Sequence, residues 1–295
     1  MQLKILNQLA IRKGLSPEDN DYRNHLIKGF EGEQKFDKLL NELNDEHLIM
    51  QDLSLEINRQ TFQIDAIVIT GNKIMLFEIK NYQGEYTFHE NELKSYPYGN
   101  IILNPLSQLN RSCTLLRMLL EKNDVNSPIE GQLVFINDSF VLYRNVEQRS
   151  LLLPQQIRKY IIQMNKQSVP VRAAQKACAD RLLRLHITED RYIQVPEYTF
   201  EDLNKGVYCP KCSLTLRKKN RRTAYCPHCG FFDLNTRIIS NEIKTFSLLF
   251  PDYDLKTSVI YDWCGTFFTK DSIQRTLAKE YIGKGSRKGT YYVKE

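Results

Sequence analysis

Apolar residues recur along the first part of the chain with two different spacings. Phe36, Leu39, Leu40 and Leu43 follow the three-to-four-residue spacing of an amphipathic helix. Residues 55–88 instead form strand-length apolar runs rich in Ile, Val, Phe and Tyr. The letters "TGN" divide two of these runs and are typical of a tight hairpin turn. The pattern therefore predicts a helix followed by a group of strands.

Helices and one more strand follow these first elements. Asn104 suits a helix N-cap and Pro105 suits the first helical position, so a helix is predicted to begin there. The other predicted elements are a strand at 131–137 and helices at 154–167 and 171–187. This mixture predicts a mixed α/β domain over residues 1–200.

Three ionisable residues interrupt the two most apolar strands. Asp65 lies in the first, and Glu78 and Lys80 lie two apart in the second, so the latter two share a strand face. A hairpin would bring all three to one end of the sheet. Because a buried charge must pair, shift its pKa or bind metal, the group calls for an explanation. An ordinary Asp65–Lys80 salt bridge with Glu78 at a solvated edge is the simplest one.

The functional explanation is metal-dependent phosphodiester hydrolysis. Carboxylate pairs suit Mg²⁺ or Mn²⁺, and a neighbouring lysine can hold a water nucleophile and offset charge on a phosphate. Glu33 lies three residues before Phe36 and seven before Leu40, which places it on the apolar side of the predicted helix. It could supply another ligand to the metal or to a water molecule. Alternatively, it could be an ordinary glutamate of the first helical turn, where the helix dipole stabilises a negative charge.

Four segments in this order resemble the nuclease-related domain family, NERD, a branch of the PD-(D/E)xK superfamily. They read "EGEQKFDKLL", "QIDAIVIT", "MLFEIKNYQGEY" and "NPLSQL", and the resemblance covers about residues 28–140. It implies a restriction-endonuclease-like fold, with a mixed central sheet flanked by helices. In the superfamily pattern a proline precedes the first acid, but Ile64 occupies that position here. This proline is commonly replaced by other residues in the superfamily.

The resemblance also implies roles for individual residues. Asp65 and Glu78 match the metal-binding acids, Lys80 the catalytic lysine, Glu33 the acid on the first helix, Gln108 the glutamine near the substrate, and the Ile79 carbonyl a further ligand of the catalytic Mg²⁺ or Mn²⁺. Without the resemblance, Gln108 is an ordinary solvated or capping residue.

A basic cysteine module is predicted at residues 204–236. Its spacing is C-x2-C-x13-C-x2-C, formed by Cys209, Cys212, Cys226 and Cys229. Four thiolates with this spacing indicate a structural Zn²⁺ ribbon with no open coordination position. Two redox dithiols are the alternative, but the thioredoxin-like βαβ context is missing.

Basic residues separate the two cysteine pairs, with no acid among them: Arg217, Lys218, Lys219, Arg221 and Arg222. Such a run is usually solvated surface, and ribbons also mediate protein contacts. On a rigid hairpin beside a nuclease, it is predicted to contact nucleic-acid phosphates without reading the sequence.

The last segment, residues 240–295, is predicted to form a small subdomain. Helical spacing at Ile273, Leu277 and Tyr281 precedes a Gly-rich basic turn and a strand. This order is that of a winged-helix module, in which Arg275, Arg287 and Lys288 would contact nucleic acid. A plain capping subdomain with Trp263 and Phe267 in its core is the alternative.

Composition narrows the classes of function. The chain of 295 residues carries a formal net charge of +6, contains seven cysteines and has no apolar run near the roughly 18 residues of a membrane span. Its start lacks the features of a signal peptide, so a cytoplasmic location without membrane partners is expected. The predicted function is an Mg²⁺-dependent nuclease, with DNA favoured over RNA. The alternative is a catalytically silent module that binds nucleic acid or a partner protein.

Overall fold

The computed structural model describes residues 1–89, 92–144, 150–187, 193–286 and 289–293. The chain divides into two compact units. The first unit combines Met1–Arg23 with Tyr192–Glu295, and the second comprises Asn24–Arg191.

Eight helices occur within the described residues: α1 Gln2–Arg12, α2 Pro17–Leu40, α3 Pro105–Glu121, α4 Pro154–Lys166, α5 Ala173–Leu185, α6 Asn235–Leu249, α7 Thr257–Trp263 and α8 Lys270–Glu280. The strands are β1 Leu48–Ile57, β2 Gln60–Ile69, β3 Ile74–Lys80, β4 Gly84–His89, β5 Glu92–Ser95, β6 Ile101–Ile102, β7 Ile129–Phe135, β8 Phe140–Arg144, β9 Leu151–Leu152, β10 Arg217–Lys218, β11 Thr223–Tyr225, β12 Phe232–Leu234, β13 Ile282–Lys284 and β14 Tyr291–Val293.

The second unit is built on a five-stranded mixed sheet. Its order is β1-β2-β3-β7-β9, antiparallel from β1 to β3 and parallel from β3 to β9. The predicted turn joins β2 to β3, where the Thr70 N–H donates to the Lys73 carbonyl at 2.9 Å. The predicted mixed sheet flanked by helices is thus confirmed, and β2 and β3 are interior strands.

Each face of this sheet carries its own apolar layer. Ile67, Ile69 and Leu76 pack with leucines of α3, whereas Phe77 and Val68 belong to the layer that contains Phe36 and Leu40 of α2. The alternation of side chains along a strand produces this division. Helices therefore approach the end of β3 from both faces.

A second sheet follows directly after β3. It has the order β6-β5-β4-β8, with β4 and β8 parallel. Leu93 and Phe140 bury its inner face in the layer that also holds the leucines of α3. The sequence pattern predicts strand character here but no separate sheet, since pairing partners are not visible in the pattern.

The first unit packs helices around Trp263, which is fully buried. The strands β10, β11 and β12 form a small antiparallel sheet, and β13 pairs with β14 as a hairpin. Leu255 adds an isolated antiparallel bridge to Tyr292. The predicted helix followed by a hairpin is present as α8, β13 and β14.

The two compact units differ in two respects from the predicted division, because residues 204–236 and 240–295 fall in one unit and the N-terminal residues join that unit. Residues 1–23 group with the C-terminal part of the chain. Ile5 and Leu9 of α1 are buried in the same cluster as Trp263 and Phe246. An amphipathic helix gains stability wherever its apolar face finds a partner, and the sequence alone does not say where that is.

No helix within the described ranges has the length and apolar character required to cross a bilayer.

Candidate active site

The charged residues of β2 and β3 come together at one end of the sheet. β2 and β3 pair antiparallel, with Ala66 opposite Phe77 as the last paired residues. One position beyond, the Asp65 carboxylate takes the place of a backbone partner, and its Oδ2 accepts the Ile79 N–H at 2.7 Å. This bond fixes the Asp65 side chain and leaves Oδ1 for a ligand.

Lys80 forms a close ion pair with Glu78. The Lys80 Nζ donates to Glu78 Oε1 at 2.6 Å and to Gln108 Oε1 at 3.0 Å. Glu78 is only 1% exposed, whereas Gln108 lies on the exposed side of α3. The ion pair expected from the sequence therefore joins Lys80 to Glu78, and not to Asp65.

The start of α3 places Gln108 in reach of Lys80. Asn104 caps the helix, since its side chain accepts the Leu106 N–H, and Pro105 occupies the first turn. Leu106 and Leu109 then anchor this turn in the core, so Gln108 between them faces away from it. The predicted helix start is confirmed.

Glu33 reaches the same cavity from α2. The cavity has a volume of about 780 Å³ and is lined by Glu33, Asp65, Glu78, Ile79, Lys80 and Gln108, among others. Glu33 is half-buried, one turn before Phe36, which is fully buried. All five side chains singled out as catalytic, together with Ile79, thus line one cavity.

Burial, assisted by mutual repulsion, raises the pKa values of the acids in this cavity. Burial raises the pKa of Asp65 to about 7, assisted by repulsion from the Glu78 carboxylate and opposed by the bond from the Ile79 N–H. Burial also raises the pKa of Glu78 and of Glu33, and Asp52 adds repulsion at Glu33. Negative charge in this cavity is therefore incompletely neutralised by the protein.

Lys80 stays cationic in these surroundings. Burial lowers the pKa of Lys80, but the Glu78 carboxylate, together with Tyr82 and Asp65, holds this pKa above its usual value. An ammonium group of this kind donates hydrogen bonds and attracts anions; it does not accept a proton at neutral pH.

The donor set fits a hard divalent cation such as Mg²⁺ or Mn²⁺. Asp65 Oδ1 and Glu78 Oε2 are carboxylate oxygens in a cavity where acids repel one another, and a cation relieves that repulsion. Glu33 lines the same cavity from α2. Within the described part of the chain, only the four thiols form a group of three or more ligand side chains whose ligand atoms all lie within 4.8 Å.

Comparison with family models places this cavity in a known context. The NERD family model, described as the nuclease-related domain, matches residues 28–136. Residues 28–136 are therefore similar to the nuclease-related domain family. The predicted resemblance is confirmed over this stretch. Comparison with curated proteins and with solved structures gave no significant match.

Two asparagines also shape this cavity, and the sequence pattern does not single them out. Asn81 Nδ2 donates to the Lys28 carbonyl at 2.7 Å, and Asn137 Nδ2 donates to Asn81 Oδ1 at 3.0 Å. Both line the cavity. Asn81 directly follows β3, and Asn137 comes two residues after the end of β7, so a polar residue just past a buried strand was the available signal.

Gly32 explains how α2 comes so close to the end of β3. A Cβ atom on Gly32 would lie 2.7 Å from the Asn81 Cβ and 3.1 Å from the Ile136 Cγ2. Only glycine permits this approach, and Glu33 is the next residue on the helix. Gly32 belongs to one of the segments that carry the family resemblance. Its packing neighbours Asn81 and Ile136 are distant in the sequence, so the sequence alone does not reveal the close contact.

The four predicted zinc ligands lie together beyond the matched domain. Cys209 Sγ is 3.5 Å from Cys229 Sγ, and Cys212 Sγ is 3.4 Å from Cys226 Sγ. Backbone N–H groups of Cys229 and His228 help to hold the pKa of Cys226 at about 6, opposed by burial. The set could hold one zinc ion in a closed tetrahedral shell.

Each of the two cysteine pairs lies on its own backbone turn, and the two turns have the same hydrogen-bond pattern. Cys209 N–H donates to Leu214 O and Cys226 N–H donates to Phe231 O, in each case five residues ahead. The return bonds, from Ser213 to Cys209 and from Gly230 to Cys226, match as well. Ser213 and Gly230 have φ values of 62° and 71°. The turn is thus built twice, as a zinc ribbon requires.

The predicted nucleic-acid contacts are surface residues of the first unit. Arg217, Lys218, Lys219, Arg221 and Arg222 are all exposed on β10 and on the turn that joins it to β11. Arg275 is exposed on α8 and forms an ion pair with Asp271. Arg287 and Lys288, proposed for the wing, lie outside the described residues.

Proposed function

We propose that the protein is a divalent-metal-dependent nuclease that hydrolyses phosphodiester bonds, with DNA as the favoured substrate. One observation carries the proposal: Asp65, Glu78 and the Glu78-paired Lys80 line one cavity within a nuclease-related domain. The arrangement combines unneutralised carboxylates with a permanently cationic lysine. A purely structural salt bridge would leave no surplus acids in an open cavity.

Asp65 and Glu78 would hold Mg²⁺ or Mn²⁺ through the oxygens that their bonds to Ile79 and Lys80 leave available. The Ile79 carbonyl would be a further ligand. A bound divalent ion supplies Lewis-acid polarisation of a phosphodiester oxygen and lowers the pKa of a water molecule. The short bonds within the protein fix both carboxylates before any ligand arrives, which limits reorganisation during the reaction.

Lys80 would stabilise the charge that develops on the phosphate. Its raised pKa keeps the ammonium protonated at neutral pH, so it serves as an electrostatic donor and not as a base. Glu78 and Gln108 hold the Nζ from two sides and thereby direct its remaining N–H toward the cavity.

Glu33 would position the attacking water and accept its proton. Burial and nearby acids raise the pKa of Glu33, which suits a general base.

Purified full-length protein tests the proposal. Plasmid, linear duplex, single-stranded DNA and RNA are each incubated with Mg²⁺, Mn²⁺ or a chelator. We expect divalent-dependent cleavage that falls by about 100-fold or more in Lys80→Ala and Asp65→Ala. Lys73→Ala is the matched control, because Lys73 pairs with Glu130 just before β3 begins and should cut like the wild type.

Two results would contradict the nuclease proposal. One is the absence of cleavage on every substrate, and the other is full activity of the Lys80→Ala variant. Tight nucleic-acid binding without cleavage would instead support the silent binding module.

A further inference from the structure

The helices α6 and α8 of the first unit enclose a polar groove of about 550 Å³. Its lining includes Arg237 and Lys244 from α6, and Arg275 and Lys279 from α8. Arg237 and Lys244 are two helical turns apart, and Arg275 and Lys279 are one turn apart, so each pair shares a helix face. Four cationic side chains therefore converge on this groove, which we call the α6–α8 groove.

The acids at the α6–α8 groove already have partners. Asp233 Oδ1 lies 3.4 Å from Arg237 Nη1, Asp271 pairs with Arg275, and Glu280 Oε2 accepts the Ser240 hydroxyl at 2.6 Å. Lys244 and Lys279 form no ion pair with any described residue. Glu280 is the one lining carboxylate that no described cation pairs with, so two ammonium groups are left against one carboxylate to attract an external anion.

The basic turn of the ribbon continues into this groove. Asn235, the first residue of α6, donates its N–H to the Arg222 carbonyl at 2.8 Å and its Nδ2 to the Arg221 carbonyl at 3.2 Å. Lys218 Nζ lies 5.4 Å from the centre of the Phe267 ring, just before α8 begins. The ribbon turn therefore contacts the first turn of α6, which also carries the groove residue Arg237, within one compact unit.

The chemistry of the lining indicates the ligand. None of the described residues that line the α6–α8 groove is aromatic, so it offers no platform for stacking unpaired bases. Cations on rigid helices are instead suited to contacting phosphates, and these contacts are independent of sequence.

We propose that the α6–α8 groove binds the phosphate backbone of duplex DNA, as a continuation of the basic ribbon turn. The choice of nucleic acid as ligand rests on the proposed nuclease function. The groove itself is a separate site: all of its lining residues belong to the first unit, and the acids of the nuclease-related domain belong to the second.

Binding measurements on the full chain without Mg²⁺ or Mn²⁺ test the groove independently of cleavage. The probe is a short fluorescent DNA duplex, titrated by anisotropy between about 50 and 200 mM salt. The double variant Lys244→Gln with Lys279→Gln removes the two unpaired ammonium groups. We expect the slope of log affinity against log salt to shrink by about 2, with an affinity loss on the order of tenfold near 0.1 M salt.

A matched control removes the same charge elsewhere. Lys4 and Lys166 are exposed and lie outside the groove, so Lys4→Gln with Lys166→Gln should keep the wild-type slope and affinity. Zinc content and circular dichroism verify that the variants are folded.

Three outcomes would overturn the groove proposal: an unchanged slope in the Lys244/Lys279 variant, an equal fall in the control, or stronger Lys244- and Lys279-dependent binding of single-stranded DNA than of duplex. The nuclease proposal fails separately. A protein that never cleaves but shows the slope change retains the groove, whereas one that cleaves with an unchanged slope retains only the nuclease.

Discussion

At the scale of single residues, the cavity acids have unusual protonation behaviour. Asp65 carries a pKa of about 7 against an ordinary 3.8, because it is buried beside Glu78. An unfolded chain loses this proton near pH 4, while the folded chain keeps it until about pH 7. Protonated Asp65 therefore contributes stability that is fully present below about pH 4 and is lost as the pH rises through 7.

Replacing Asp65 by asparagine should remove this pH dependence. We compare the free energies of unfolding of Asp65→Asn and the wild type without added divalent cations. The value for Asp65→Asn minus that for the wild type should increase from about pH 4 to pH 8 by on the order of 1–4 kcal/mol. Urea unfolding at several pH values measures the difference.

Asp180→Asn, on the exposed side of α5, is the control and should show no such trend. A wild type that gains stability over Asp65→Asn as the pH rises would contradict the assigned environment of Asp65.

At the scale of elements, the approach of α2 to the end of β3 builds the cavity. Asn81 ties the Lys28 carbonyl of α2 to the strand end, and Gly32 provides the necessary space. Glu33 depends on this contact for its place in the cavity. The two cysteine turns show the same principle, since the backbone hydrogen bonds of one turn position each cysteine pair.

Alanine substitutions at two glycines of α2 distinguish the effect of close packing on stability from the effect of helix propensity. Gly32→Ala would place a Cβ 2.7 Å from the Asn81 Cβ, whereas a Cβ atom added at Gly29 would meet nothing within 4 Å. We expect Gly32→Ala to destabilise by about 1–3 kcal/mol and Gly29→Ala to stabilise by about 0.5–1 kcal/mol. Urea unfolding compares them, and equal effects would show that α2 is not closely packed at Gly32.

Zinc binding is the second prediction at this scale. We expect one zinc ion per chain by elemental analysis, and its loss in Cys209→Ser, because three thiolates no longer complete the tetrahedral shell. Cys113→Ser lies outside the set and should retain the zinc. A wild type free of zinc would refute the ribbon.

At the scale of the whole molecule, the first unit is assembled from both ends of the chain. Arg12 is fully buried, and its guanidinium lies 3.7 Å from the centre of the Trp263 ring. Its Nη2 bonds Glu242 Oε2 at 2.7 Å, and the Trp263 Nε1 donates to the same oxygen at 2.9 Å. A charge buried this way is tolerable only with its partner in place.

Removing Arg12 should therefore weaken the first unit strongly. We expect Arg12→Ala to lower its stability by about 3–5 kcal/mol, because Glu242 is left buried without its cation. Trp263 is the sole tryptophan of the chain, so its fluorescence during urea unfolding reports on this unit. Lys4→Ala, exposed on the same helix, should change stability by less than about 0.5 kcal/mol. An unchanged Arg12→Ala midpoint would contradict the role of the ion pair.

The sequence by itself determined those features whose cause is local. Helical spacing and an N-cap predicted α3 and α8, period-two strands with a turn predicted the β2–β3 hairpin, and cysteine spacing predicted the metal-ligand set. The family motif also brought Glu33, Asp65, Glu78, Lys80 and Gln108 to attention, and the cavity contains all of them.

Only the tertiary structure decided which distant groups meet. The bond from Asn81 to Lys28 spans 53 positions and the Arg12–Glu242 bond spans 230, so no local pattern encodes either partner. The second sheet, the grouping of α1 with the C-terminal unit and the α6–α8 groove likewise follow from packing. The sequence shows that an apolar helix face or a buried charge requires a partner. Which residue becomes that partner depends on the geometry of the folded chain.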